Sequence, residues 1–290
     1  MALTTKQKIK IAQLLSGCVR TLRRGLRYSD DIAEVTRKGI RWRLDLREGI
    51  DLYIYLLGVF EWVTVRAYSR LIKPGDVVLD IGANIGAHML QFARLVGPSG
   101  HVYAFEPTQY AYDKLQTNIR LNPYYAPEIT ALQAMLVASN SSALAPEIYS
   151  SWPLRDDKDA NEQHGGVMKS TRGASAMTLD DALSRLGVKK VDFVKLDVDG
   201  HECEVLEGWT TIDKYKPKIL LELAHVGDDA HVSNLLNLLS KRGYQFFKVG
   251  GATLTALQID NALIQSIRAG TSYNVLALPA AKDQVTSLAA

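Results

Sequence analysis

The chain has 290 residues, 47% hydrophobic and 22% charged, with a formal net charge of +3. That length suits one large α/β domain with a small extension, or two small domains, with a core that needs neither disulfide nor metal. The charge is too small to argue for a nucleic-acid partner, and no segment approaches the roughly 20 apolar residues of a spanning helix.

The charge is unevenly spread. No acidic residue precedes Asp30, whereas Lys6, Lys8, Lys10, Arg20, Arg23, Arg24 and Arg27 all do. Ile11, Leu14, Leu15, Val19, Leu22 and Leu26 recur at helical spacing. A basic amphipathic helix of this kind packs on the domain with a solvated basic face, the plainer reading, or makes peripheral contact with an anionic membrane. Leu15-Ser16-Gly17-Cys18 is similar to a lipoprotein cleavage box. The apolar run before it is only about six residues, short of the 7–15 of a signal peptide. Cys18 and Cys203 lie far apart, which fits a reduced compartment. The chain reads as cytoplasmic, with membrane association and a homo-oligomer left open.

Ile40 to Leu46 alternates apolar and polar, as a half-buried strand or hairpin arm does. Ile50 to Leu71 is apolar and aromatic at mixed spacing, read as helices under the main domain. Residues 1–73 thus form an extension, and Pro74-Gly75 marks a turn into a domain spanning 74–280. There Val77 to Ile81 is a continuous apolar run broken only by Asp80, as expected of a strand covered on both faces. A helix over Gly86 to Val96, a strand over Val102 to Phe105 and a helix over Thr108 to Asn122 follow, with Thr108 as N-cap. Ile129 to Ala138 holds a third strand.

Ser139 to Ser175 breaks the rhythm and is too long for an ordinary connection, so it reads as a functional cap or a mobile loop. Beyond it come a helix at Leu179 to Leu186 and strands at Val191 to Val198 and Ile219 to Leu223. A helix at Ala230 to Arg242 and strands at Tyr244 to Val249 and Asn274 to Leu278 complete the pattern, before a tail over 281–290. Strands alternating with helices imply a doubly wound, mostly parallel sheet.

The first strand of this domain ends in Asp80-Ile81-Gly82-Ala83-Asn84-Ile85-Gly86. In such folds ligands bind at the carboxyl ends of the strands. Gly82 permits a tight turn and close approach of a ligand, and Gly86 lets the next helix pack on the strand. The spacing Gly-x-x-x-Gly differs from the Gly-x-Gly-x-x-Gly of a pyrophosphate cradle, which disfavours a dinucleotide. Asp80 suits a cationic ligand, and the amino-acid part of S-adenosyl-L-methionine carries an ammonium. Glu106 closes the second strand, where an acid can accept from both ribose hydroxyls. Asp80, Gly82, Asn84, Gly86 and Glu106 are therefore the expected cofactor residues, with Asp197 as a further candidate.

Asp197, Asp199, His201 and Glu202 crowd the end of a later strand. Methyl transfer needs positioning, and often a base for the acceptor's proton. His201 has a suitable intrinsic pKa, and Asp197 could orient the acceptor or hold the cofactor's ammonium. The competing reading is that these acids cap the helix that follows. Glu222 and His225 end the next strand, and a buried Glu needs a partner that an active site can provide. His201, Asp197, Glu222 and His225 are the catalytic candidates. No metal is assigned, since a lone Asp-x-Asp is a weak signal.

With these residues in place, the chain resembles the FkbM family of SAM-dependent methyltransferases from about Gly39 to Pro279. The likeness rests on Gly58-Val59-Phe60-Glu61, Val78 to Gly86, Ala104-Phe105-Glu106-Pro107, Thr178-Leu179-Asp180-Asp181, Lys195 to Glu202, Leu221-Glu222 and Tyr273 to Pro279. The family usually has Glu where this chain has Asp199. The resemblance implies a class I methyltransferase fold, Rossmann-like with a seven-stranded sheet behind a helical and hairpin extension. It implies O-methylation of a sugar, glycolipid or secondary-metabolite hydroxyl, with a small-molecule or glycan acceptor and 139–175 as its cap. Methylation of nitrogen or carboxylate, and a SAM-binding module without catalysis, are the alternatives.

Overall fold

The computed structural model describes residues 5–154, 166–224, 230–250, 253–268 and 272–280. The chain opens with α1 (Thr5–Gly25), then a hairpin of β1 (Ile32–Arg37) and β2 (Ile40–Asp45), antiparallel from Ile32 opposite Asp45 to Arg37 opposite Ile40. The alternation of β2 buries Ile40, Trp42 and Leu44 on one face. Helices α2 (Gly49–Leu57) and α3 (Trp62–Tyr68) follow, as the sequence predicts for this stretch.

The α/β unit runs β3 (Val77–Ile81), α4 (Met89–Val96), β4 (His101–Phe105), α5 (Gln109–Arg120), β5 (Ile129–Leu132) and β6 (Ala134–Leu136). Thr108 caps α5 through its side chain, as its position before the helix predicts. Next come β7 (Glu147–Ser151) and β8 (Val167–Ser170), an antiparallel hairpin inside the segment expected to be a cap, and then β9 (Ser175–Met177), which pairs with β6. Helix α6 (Leu179–Arg185) leads to β10 (Phe193–Leu196), α7 (Glu202–Glu207), α8 (Ile212–Tyr215) and β11 (Lys218–Leu223). The described chain closes with α9 (His231–Ser240), β12 (Tyr244–Gly250), β13 (Thr253–Ala256), α10 (Asn261–Arg268) and β14 (Tyr273–Pro279).

The main sheet has the order β13-β12-β14-β11-β10-β3-β4-β5. Pairings from β11 to β5 are parallel, and β14 enters antiparallel between β11 and β12. Seven of these strands make the expected mostly parallel sheet, and β13 adds an eighth, antiparallel to β12. Both faces are covered. Leu79, Ile81, Val194 and Leu196 pack with α6, α7 and α9, while Val78, Phe193 and Leu220 pack with α3, α4 and the β1–β2 hairpin. This second face also carries the polar side chains of the site, because alternation along each strand puts Asp80 with Val78 and Lys195 with Phe193.

Candidate active site

The loop after β3 is tied to β4. The Gly82 and Ala83 amides each donate to the Phe105 carbonyl at 3.0 Å. Gly82 has φ of +84°, and a Cβ there would overlap the Asp197 carbonyl oxygen, so only glycine lets the β3 and β10 loops meet. Asn84 also holds a left-handed conformation, φ +49°, steadied by its own Oδ1 accepting from the Ile85 amide at 2.8 Å. Its amide donates to Glu106 Oε2 at 3.0 Å, joining the glycine loop to the end of β4. At Gly86, φ +86°, a Cβ would stand 2.9 Å from Met89 Cε.

Glu106 is buried, and its own surroundings brace it. Oε1 accepts from the Thr108 amide at 2.9 Å and the Thr108 hydroxyl at 2.6 Å. The Ser150 hydroxyl, from β7, lies farther off at 3.4 Å. Burial pushes the Glu106 carboxyl above its ordinary range, and the donors from Thr108 and Asn84 oppose that rise. The β7–β8 hairpin therefore covers the acid expected to meet a ribose.

Asp80 faces the second core, and neither of its oxygens has a hydrogen-bond partner of ordinary geometry. Burial raises its carboxyl to about 6, with the Lys195 ammonium opposing the shift. Lys195 lies opposite Asp80 across the parallel β3–β10 pairing, and its Nζ donates to Asp197 Oδ2 at 2.7 Å. Burial works against a charged lysine, but the carboxylates of Asp197 and Asp80 outweigh it and raise its pKa. Glu222 lies opposite Asn274 in the β11–β14 pairing. Asn274 Nδ2 donates to Glu61 Oε2 at 3.3 Å and to Thr64 Oγ1 at 3.1 Å, which brings the start of α3 to the sheet. Glu61 is itself left-handed, φ +48°, and its carboxyl is raised by burial and by Asp197. His88 Nε2 is 3.9 Å from Glu61, its Nδ1 is 3.2 Å from the Tyr68 hydroxyl, and burial keeps the ring neutral.

Asp197, Asp199 and Glu222 line one small cavity with His231 and Leu235. Burial and the neighbouring Asp197 charge raise both Asp199 and Glu222, the latter to about 7. The structure thus brings together Asp197 and Glu222 of the expected catalytic group. His201 sits apart at the start of α7, its side chain 40% exposed and its Nδ1 3.4 Å from Glu204. His225 lies outside the described residues. Glu202 is buried and holds the turn after Asp197, its Oε1 accepting from the Val198 amide at 3.1 Å and the Gly200 amide at 3.3 Å. Its Oε2 is 2.8 Å from His231 Nε2. Among the described residues, no group of three or more His, Cys, Asp or Glu side chains is placed to hold a metal ion.

Sequence reasoning gave no site role to Lys195, Glu61, His88 and His231. A lysine inside an apolar strand was the available signal for Lys195, since burying that charge requires partners. Glu61 stood in the Gly58-Val59-Phe60-Glu61 motif without a role. His88 and His231 carry no local pattern.

Residues 80–246 match the family described as the Methyltransferase FkbM domain. The hexuronic acid methyltransferase AglP of Haloferax volcanii is 28% identical over 217 residues, covering 74% of this chain and 83% of that protein. The 31-O-demethyl-FK506 methyltransferase FkbM of Streptomyces tacrolimicus is 28% identical over 210 residues, covering 63% of this chain and 79% of that protein. Among solved structures, a methyltransferase FkbM from Methylobacillus flagellatus is similar with a TM-score of 0.44 and 17% identity, covering 73% of this chain and 50% of that one.

Proposed function

This chain belongs to the FkbM methyltransferase family, and from that premise we propose that it methylates a hydroxyl of a sugar, glycolipid or secondary metabolite, with Glu222 taking the hydroxyl proton. The protein is an S-adenosyl-L-methionine-dependent methyltransferase.

The residues present fit that cofactor. Asp80 offers a buried carboxylate with no hydrogen-bond partner of ordinary geometry, which suits an ammonium group. Gly82 and Gly86 keep side chains out of the loop above it. Glu106 stands at the end of β4, where Ser150 makes only a long contact that a ribose hydroxyl would replace. When bound, the cofactor supplies a methyl group made electrophilic by its sulfonium sulfur.

The observation that carries the hydroxyl reading is the carboxylate cavity at the ends of β10 and β11. A hydroxyl loses its proton as its oxygen gains the methyl group, so a nearby base helps. Glu222, raised to about 7 by burial and by Asp197, is poised to accept that proton near neutral pH. Asp197 is pinned by Lys195 and serves to orient the acceptor. His201, exposed and beside Glu204 at the start of α7, is not part of the cavity lining and takes no role in the proton step. Two relatives support the class: one is a hexuronic acid methyltransferase, and the other is a 31-O-demethyl-FK506 methyltransferase.

The test is incubation with S-adenosyl-L-methionine and panels of glycans, glycolipids, hydroxylated metabolites, amines and carboxylic acids, read by mass spectrometry. A gain of one methylene on a hydroxyl acceptor is expected. A gain confined to amines or carboxylic acids would overturn the reading.

A further inference from the structure

The first helix carries a surface that methyl transfer leaves unused. One side of α1 is fastened to the body. Ser16 Oγ donates to the Leu46 carbonyl at 2.7 Å, and Arg20 pairs with Asp31 at 2.8 Å. Ala12 and Val19 pack on the small core of Ala33, Leu46, Leu52 and Leu154.

The opposite side is apolar and open. Ile11, Leu14, Leu15 and Leu22 are 42%, 72%, 45% and 66% exposed, and Leu26, just past the helix, is 65% exposed. Spacings of three, four, seven and eleven residues put these side chains along one stripe. A contiguous stripe of this kind on a folded surface marks a contact site.

Charge decides what covers it. α1 contains Lys6, Lys8, Lys10, Arg20, Arg23 and Arg24 and no acidic residue. Of these, Arg20 and Arg24 pair with Asp31 and Arg23 donates to the Ile32 carbonyl, while Lys10 is exposed. A second copy would set two helices without any acidic residue face to face. An anionic lipid surface complements the same charges and accepts the leucines. No helix among the described residues is long and apolar enough to cross a membrane, so the contact is one of lying on the surface. We propose that α1 docks on an anionic membrane surface, its Leu14–Leu22 stripe entering the headgroup boundary. This goes beyond the methyltransferase reading and stands independently of it.

The test uses the full chain and vesicle flotation. Binding is expected to vesicles of phosphatidylglycerol and phosphatidylcholine in equal parts, weaker on phosphatidylcholine alone, and reversed by high salt. The double variant Leu14→Ser/Leu22→Ser, at exposed positions, should keep its fold and cofactor binding while losing about tenfold or more in vesicle affinity. Lys10→Glu should weaken binding to the mixed vesicles and leave phosphatidylcholine unaffected. No binding to the mixed vesicles, or equal binding by both variants and the unchanged chain, would overturn the proposal. So would a dimer in sedimentation velocity that Leu14→Ser/Leu22→Ser dissolves.

Discussion

Lys195 and Asp80 lie opposite each other across the parallel β3–β10 pairing, one buried cation and one buried carboxylate on the same face of the sheet. Each makes the other's charge tolerable. The Lys195 ammonium also fixes Asp197 at 2.7 Å, so a single side chain links the expected cofactor carboxylate to the carboxylate-lined cavity at the ends of β10 and β11.

Replacing Lys195 by Met should therefore be costly. Lys195 is ion-paired with Asp197, which is one-third exposed, and its charge also faces the buried Asp80 without a direct contact. The loss should therefore stay below the roughly 3–5 kcal/mol of a fully buried pair broken from one side. Urea unfolding of Lys195→Met should show a loss within that bound. The double variant Lys195→Met/Asp80→Asn should recover part of it, since one stranded carboxylate is gone. Strict additivity of the two single changes would count against the pairing.

Gly82→Ala tests the contact between the β3 and β10 loops. The new Cβ would overlap the Asp197 carbonyl in a backbone conformation that disfavours any side chain. Strain of about 1–3 kcal/mol is expected, together with a loss of cofactor affinity measured by calorimetry. Unchanged affinity and melting temperature would mean the two loops are farther apart than described.

Much of this geometry was legible in the sequence. β3, β4, β10 and β11 stand out because strands covered on both faces read as apolar runs. Gly82, Gly86 and Glu106 follow from where those strands end. Other elements were hidden for physical reasons. β1 has only a weak alternation, and its existence depends on pairing with β2. β7 and β8 lie in a polar stretch and are strands because they fold back on each other. Glu61 reaches the site only through the left-handed turn before α3 and the Asn274 amide from β14, 213 residues away. His201 shows the converse: its pKa class and motif suggested a base, while the helix that begins after it points the ring toward Glu204 and solvent.

Glu222 predicts a pH signature for turnover. Its carboxyl is raised to about 7, so the proton-accepting form grows in as pH rises through that value. The kcat–pH profile of the unchanged protein should rise across neutrality. Glu222→Gln should flatten that limb and lower kcat by roughly 10²–10⁴-fold, the usual worth of a general base. A limb that persists in Glu222→Gln would assign the proton to another group.

The pair of His231 with Glu202 predicts a pH dependence of stability. Hydrogen bonding to Cys203 and Glu202 raises the imidazole from 6.5 to about 10. A folded value above the unfolded one means the stabilisation is complete below 6.5 and is lost as pH rises through 10. Unfolding free energy should fall across that window, and His231→Gln should remove that part of the slope. Equal slopes in the two proteins would refute the link.

The most direct test of the account is titration of S-adenosyl-L-methionine into the unchanged protein, Asp80→Asn and Glu106→Gln, with circular dichroism to confirm the fold of each. Both substitutions keep the side chain's shape and remove its charge. The account predicts that each variant stays folded and binds the cofactor at least about tenfold more weakly, the loss expected for a charge-assisted hydrogen bond. Cofactor affinity unchanged in both variants would contradict it.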